Sequence, residues 1–250
     1  MPFRIDKPVF CLTSDVDWAS EACLQDLFGI VNRFDVIPTF FGTHASESLT
    51  QWEADGRIDL GLHPNFLPGS THGRDPGEII DHVFSLFPKA QSFRSHCFVD
   101  DSLLCNEIYR RGIRYDSNLC LYLQEGLVPL RHNSGLTRYP CFFEDDVHWR
   151  WGKGDWSVDT CIDHFLTPGL KILNFHPKFV SFNIPDAASY EKLRPVIPDA
   201  NQATIEKHRH PGPGPRTFLI DLLSRLTERG FRIHSLAEVH GMFSDMTRLM

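Results

Sequence analysis

Short apolar runs alternate with helix-spaced stretches along nearly all of this 250-residue chain, and that alternation restricts the possible folds more than any other feature. "VFCLTSDVD" reads as a buried strand. After Ser20, an expected helix N-cap, Cys23, Leu24, Leu27, Phe28, Val31 and Phe34 recur at helical spacing. Further strands are predicted at "VIPTFFGT", "IDLGLHPN", "QSFRSHCFV", "RYDSNL", "GLTRYPCFF", "LKILNFHP" and "FRIHSL". Helices are predicted after Asp75-Pro76, in "DDSLLCNEIYRRGI", in "SVDTCIDHFL", and in "PRTFLIDLLSRLTERG", where Leu219, Leu222, Leu223 and Leu226 form one stripe. Strand–helix alternation of this length implies parallel strands under outer helices. About seven such strands suit a barrel, and about six would suit an open doubly wound sheet. The Pro-rich stretch 177–216 is expected to be a surface loop over one mouth, with residues 1–250 forming one domain.

Composition narrows the function. The formal net charge of −7 argues against a nucleic-acid binder, which needs a clustered excess of Lys and Arg. Seven cysteines without a CxxC pair make a disulfide framework or a thiolate zinc site an unlikely basis for the fold. The N-terminal "MPFRIDKPVF" lacks a basic region followed by an apolar stretch, and no apolar run approaches the roughly 20 residues that span a bilayer. A cytoplasmic protein without a transmembrane segment is expected.

The predicted strands end in residues that do chemistry. Asp15 and Asp17 close the first strand, His63 the third, Arg94 and His96 the fourth, Asp116 the fifth and His176 the late one. In parallel α/β folds these carboxyl ends line the active site. Buried carboxylates are costly unless paired or bound to a cation. Strand alternation would put Asp15 and Asp17 on one face, with Val16 on the other. Asp17, His63 and His72 form a carboxylate–imidazole set suited to zinc, and also to cobalt, nickel or iron(II), with a coordination position left for water. His44 and His96 are the next candidates for a third ligand.

Two loops can shape a pocket. "FFEDDVHWRWGKGDW" sets Asp145 and Asp146 beside Trp149, Trp151 and Trp156. Aromatic faces beside carboxylates suit a sugar, although the same tryptophans can simply pack on a barrel rim. "EKHRHPGPGPR" offers Lys207, Arg209 and Arg216 to a phosphate or diphosphate carrier, or is a solvated charged loop.

In this order, "TSDVDW", "LGLHPNFLPGSTHG", "FRSHCF", "RYDSNL" and "ILNFHPKF" resemble the motifs of the polysaccharide deacetylase family (NodB homology, carbohydrate esterase family 4). Together with "FEDDVHWRWG", they are more narrowly similar to WbmS-type deacetylase-like proteins of O-antigen clusters. The resemblance implies a distorted (β/α)7 barrel and a metal-dependent carbohydrate N-deacetylase acting on a free or carrier-linked sugar in lipopolysaccharide synthesis. It makes Asp15 the catalytic base, Asp17, His63 and His72 the metal ligands, and Arg94 the residue that orients Asp15. It makes His176 the general acid, with Asp116 steadying it. This chain departs from the family pattern in having eight residues between its two motif histidines and in placing His96 where the third motif has proline. Two rival readings stand beside the deacetylase: an allantoinase-like hydrolase of a small amide, and a non-catalytic sugar-binding homologue.

Overall fold

A computed structural model describes residues 4–152 and 154–247. Among these residues ten strands form one sheet: β1 (Pro8–Asp15), β2 (Thr39–Gly42), β3 (Asp59–Leu62), β4 (Ser92–Phe93), β5 (Tyr115–Asp116), β6 (Leu130–Arg131), β7 (Thr137–Arg138), β8 (Cys141–Glu144), β9 (Gly169–Asn174) and β10 (Ile233–His234). Their order is β6-β7-β5-β4-β3-β2-β1-β9-β8, with β10 also paired to β1. Every pairing is parallel except β6 with β7.

The sheet curls until its ends meet through the segment after β5. Leu121 N–H donates to Cys141 O at 2.8 Å, and Cys141 N–H donates to Leu119 O at 2.7 Å. The result is the distorted (β/α) barrel expected from the alternation. Strands buried on both faces explain the near-continuous apolar runs: Phe10, Cys11 and Leu12 of β1 and Leu170, Ile172 and Leu173 of β9 are all buried. Gly61 in β3 lies under the Phe41 ring and Ser92, where an added Cβ would come within 2.6 Å of each.

The outer helices follow their local signals. Ser20 caps the helix Glu21–Val31 by accepting from Cys23 N–H. Asp75 caps Pro76–Leu86, with Pro76 in the first turn. The four leucines of Pro215–Glu228 are fully buried. No helix among the described residues is long and apolar enough to cross a membrane.

Three expectations differ from the structure. The stretch 177–216 is largely helical, with Pro177–Phe182, Ala187–Leu193, Gln202–His208 and the start of Pro215–Glu228. Phe179, Phe182, Ile184, Ile197 and Ile205 there form a small second core with Ala19 and Cys23, so apolar burial overrides the proline content. "GLTRYPCFF" is split into β7 and β8 around Pro140, which has no N–H to give to a ladder. The chain after β10 forms a further helix, Leu236–Thr247, that the sequence reading did not include.

Candidate active site

The first strand delivers its two aspartates differently from simple alternation. β1 ends at Asp15, and Asp17 and Trp18 then adopt left-handed backbone conformations with φ of 48° and 53°. The bend is held by Val16 N–H to Phe41 O, Trp18 N–H to Thr43 Oγ1, and Ala19 N–H to Val16 O. It turns Asp17 back over the barrel mouth, so both carboxylates reach one site without sharing a strand face.

Asp15 is buried and held on both oxygens. Arg94, fully buried at the end of β4, donates from Nη1 to Asp15 Oδ1 at 2.9 Å. Its other donors reach Thr13 Oγ1, Ser117 O and Ser117 Oγ, so the guanidinium has little freedom to leave. Asn174, two residues before His176 on β9, donates from Nδ2 to Asp15 Oδ2 and to Glu144 Oε1, each at 3.1 Å. Burial and the neighbouring Asp146, Cys141 and Asp15 push the Glu144 carboxyl well above the usual range. Its Oε2 is buried without a partner.

Asp17 gathers the cationic and imidazole groups. Its Oδ1 lies 3.1 Å from His63 Nε2 and 2.8 Å from His96 Nδ1. Its Oδ2 lies 3.0 Å from Lys178 Nζ and 3.6 Å from His176 Nε2. Burial opposes ionisation, but Lys178, His63, His96 and His176 hold the carboxyl well below its ordinary range. His63 Nδ1 sits 2.7 Å from Arg94 O, a carbonyl that can only accept, which fixes the ring proton there and leaves the Nε2 lone pair for a ligand. Ligand atoms of Asp17, His63 and His96 all lie within 4.8 Å of one another. One carboxylate and two imidazoles fit a zinc-like ion.

His72 is near this cluster but outside it. Its Nδ1 accepts the Asn65 N–H at 3.2 Å, so the neutral ring carries its proton on Nε2, which is buried without a partner. Burial, followed by the nearby His82, lowers it to about 4 and keeps it neutral at pH 7. A ligating Nε2 would require the other tautomer and the loss of the Asn65 bond. His96 stands where His72 was expected. Trp18 lies against both rings at 5.4 Å.

His176, 4% exposed, is held by Asp145. Asp145 Oδ1 lies 2.6 Å from His176 Nδ1, and Oδ2 accepts the His176 backbone N–H at 2.9 Å. Burial opposes protonation, but Asp145 and then Asp17 outweigh it and raise the imidazole to about 9. Asp145 is thus the partner expected in Asp116, and it is fully buried, not a sugar contact. Asp116 instead accepts from Arg138 Nε and Nη2, and Arg138 also binds Asp100.

The loop tryptophans divide. Trp149 donates to Ile184 O and lies against Phe179 and Tyr190, and Trp156 donates to Pro185 O, so both pack on the rim. Trp151 is 66% exposed on the helix Asp145–Trp151. Asp146 keeps a buried Oδ1 without a partner. Arg209 and Arg216 both pair with Asp26, so these two cations of the charged segment are committed to an internal contact.

The sequence reading omitted Asn174, Glu144 and Lys178. Asn174 had a signal, since alternation on β9 places it on the face that leads to His176. Glu144 and Lys178 looked like loop residues.

A family model for WbmS-like polysaccharide deacetylases matches residues 12–194. The chain belongs to this family. It is similar to a Bordetella bronchiseptica protein of known crystal structure to which a polysaccharide-deacetylase role in O-antigen biosynthesis has been ascribed. The two are 32% identical with a TM-score of 0.78, covering 89% of this chain and 91% of the other. A peptidoglycan N-acetylglucosamine deacetylase shares the fold at 14% identity and a TM-score of 0.50, covering 92% of this chain and 86% of that one. The 4-alpha-glucanotransferase of Thermococcus litoralis does so at 11% and 0.53, covering 94% and 38%. Comparison with curated proteins gives no match. In this WbmS-like family member the candidate site is built from the ends of β1, β3, β4, β8 and β9 and from Lys178, two residues after His176.

Proposed function

We propose that this chain, acting as a single catalytic domain over residues 1–250, is a metal-dependent hydrolase that removes the N-acetyl group of an amino sugar in O-antigen or lipopolysaccharide synthesis. The observation that carries the reading is a pair of oriented groups beside the candidate metal ligands. Asp15 is fixed by Arg94 and Asn174, His176 is fixed by Asp145, and His176 Nε2 lies 3.6 Å from Asp17 Oδ2. The family membership supports deacetylation, and the role ascribed to the similar Bordetella protein supports the O-antigen setting. Seven free cysteines are consistent with a reducing cytoplasm, and the substrate would be a free or carrier-linked sugar.

Amide hydrolysis needs a deprotonated water, a stabilised oxyanion and a proton for the leaving nitrogen. Asp17, His63 and His96 would hold a divalent ion, zinc by their ligand chemistry, with cobalt, nickel or iron(II) also compatible. When bound, such an ion supplies Lewis-acid polarisation and lowers the pKa of water to about 7. Asp15 takes the water's proton as oxygen bonds to the acyl carbon and the carbonyl electron pair moves to its oxygen. As that pair returns, the C–N bond breaks and His176 gives its Nε2 proton to the nitrogen. The products are acetate and the free amine. Each positioned proton transfer contributes typically about 10²–10⁴-fold. Asp146, whose Oδ1 has no partner among the described residues, would accept a sugar hydroxyl.

The test is acetate release from N-acetylglucosamine oligomers and UDP-N-acetylglucosamine by the zinc- or cobalt-loaded protein. Release that disappears with chelator and in Asp15→Asn supports the reading. No release from either substrate by the metal-loaded wild type overturns it.

A further inference from the structure

We propose that Lys178 is a catalytic residue of this site, an ammonium that donates a hydrogen bond to the acyl oxygen as negative charge develops on it. This rests on the deacetylase reading and extends it to a residue outside the expected base, ligand and acid set.

A lysine side chain is rarely buried unless it is paired, because its ammonium loses hydration. Lys178 is only 7% exposed, in the helix Pro177–Phe182 directly after His176. Its Nζ has three donors. Among the described residues they reach one partner, Asp17, at Oδ2 (3.0 Å) and more distantly at the backbone O (3.5 Å). At least one N–H therefore has no acceptor among the described residues. The Phe179 and Tyr190 rings lie 5.1 and 5.7 Å from the ammonium, which makes that side of it apolar apart from their π faces. An unused donor on a dehydrated cation is strongly attracted to any oxygen that acquires charge nearby.

The position suits the acyl group. Asp17 presents Oδ1 to the two ligand histidines and Oδ2 to Lys178 and His176. The ammonium and the proton-giving imidazole therefore flank the same carboxylate oxygen. An amide whose nitrogen meets His176 Nε2 would carry its carbonyl oxygen within reach of the neighbouring cation. Charge supports the same assignment. Asp15, Asp17, Glu144, Asp145 and Asp146 crowd this mouth, whereas Arg94 is fully buried and makes four hydrogen bonds to Thr13, Asp15 and Ser117. Among the described residues, Lys178 keeps an ammonium N–H there without an acceptor, available to a substrate. During the reaction it forms no covalent bond. The oxyanion appears when water adds and disappears when the C–N bond breaks, with protons passing to Asp15 and from His176 as above.

The experiment compares wild type, Lys178→Met and Lys178→Arg in the zinc-loaded protein. It measures kcat and KM for acetate release, zinc content, thermal midpoint, and binding of methylphosphonate as a tetrahedral anion. Loss of an oxyanion donor typically costs about 10²–10³ in kcat. The expected result for Lys178→Met is a fall of that size with KM nearly unchanged, retained zinc, a retained thermal midpoint and methylphosphonate binding weakened by about tenfold or more. Lys178→Arg should recover part of the rate. Unchanged kcat and methylphosphonate binding in Lys178→Met would overturn the proposal. Loss of zinc together with activity would do so as well, since Lys178 would then act only by holding Asp17. If the wild type releases no acetate, the deacetylase reading fails by itself. The methylphosphonate comparison then still decides whether Lys178 binds anions.

Discussion

Asp145 grips His176 at two points, one carboxylate oxygen at the ring Nδ1 and the other at the backbone N–H. The contact fixes both the rotation of the imidazole and the start of the helix that carries Lys178. It also leaves Nε2 as the only ring nitrogen free to work.

The sign of the pH effect follows from that contact. In the proposed mechanism His176 must be protonated to act as the acid, and Asp145 outweighs burial to raise it to about 9. Activity should therefore decline as pH rises through that region. In Asp145→Asn the upper limb should move toward or below the ordinary histidine value of about 6.5, with a loss at pH 8 of about tenfold or more. A pH–rate profile whose upper limb stays in place in the variant would show that Asp145 does not set the acid.

Removing Arg94 should harm the fold as well as the chemistry. Arg94→Met leaves Asp15 buried without its cation, and breaking such a pair typically costs about 3–5 kcal/mol. Urea unfolding of the variant should show a lower midpoint by that order. A midpoint like that of wild type would mean that the barrel mouth relaxes and hydrates Asp15.

Metal content separates the two histidines. His96→Ala should lose most of its zinc by inductively coupled plasma mass spectrometry, because Asp17 and His63 would remain as a two-ligand site. His72→Ala should keep it, since its Nε2 carries the proton while Nδ1 accepts from Asn65. The reverse pattern would restore His72 as the third ligand and require a tautomer change on loading.

A second pH effect lies away from the site. His148 is buried between the Tyr122 hydroxyl at Nδ1 and Asp155 O at Nε2, and burial lowers its pKa despite the Asp155 carbonyl. A histidine held below its unfolded value contributes stability above that value and loses it as pH falls toward the folded one. Thermal midpoints should drop between pH 7 and 5, and His148→Gln should drop less steeply over the same interval. Parallel curves would remove His148 as a contributor.

Much of the site was legible because strand ends are local signals. An apolar run closed by Asp15, His63, Arg94 or His176 declares both a strand and its mouth, and the structure puts all four there. What was not legible depends on long-range pairing. Arg138 claims Asp116 from 22 residues away, which leaves His176 to Asp145, a residue whose setting among tryptophans suggested a sugar contact. The left-handed turn at Asp17 breaks strand periodicity without a glycine to announce it. Prolines between 177 and 216 masked short helices whose apolar residues are spaced too widely to read as a stripe, yet close around Ala19 and Cys23.

That small cluster has an evolutionary consequence. Asp15 and Arg94 are mounted on the barrel, whereas the segment just after His176 rests on Phe179 and Phe182, packed with Ile184, Ile197 and Ile205. The two proton transfers of the proposed mechanism would thus answer to different sets of packing residues. On the proposed mechanism, substitutions in the cluster would retune how the leaving amine is received while proton abstraction stays fixed, shifting substrate preference through residues that no substrate touches.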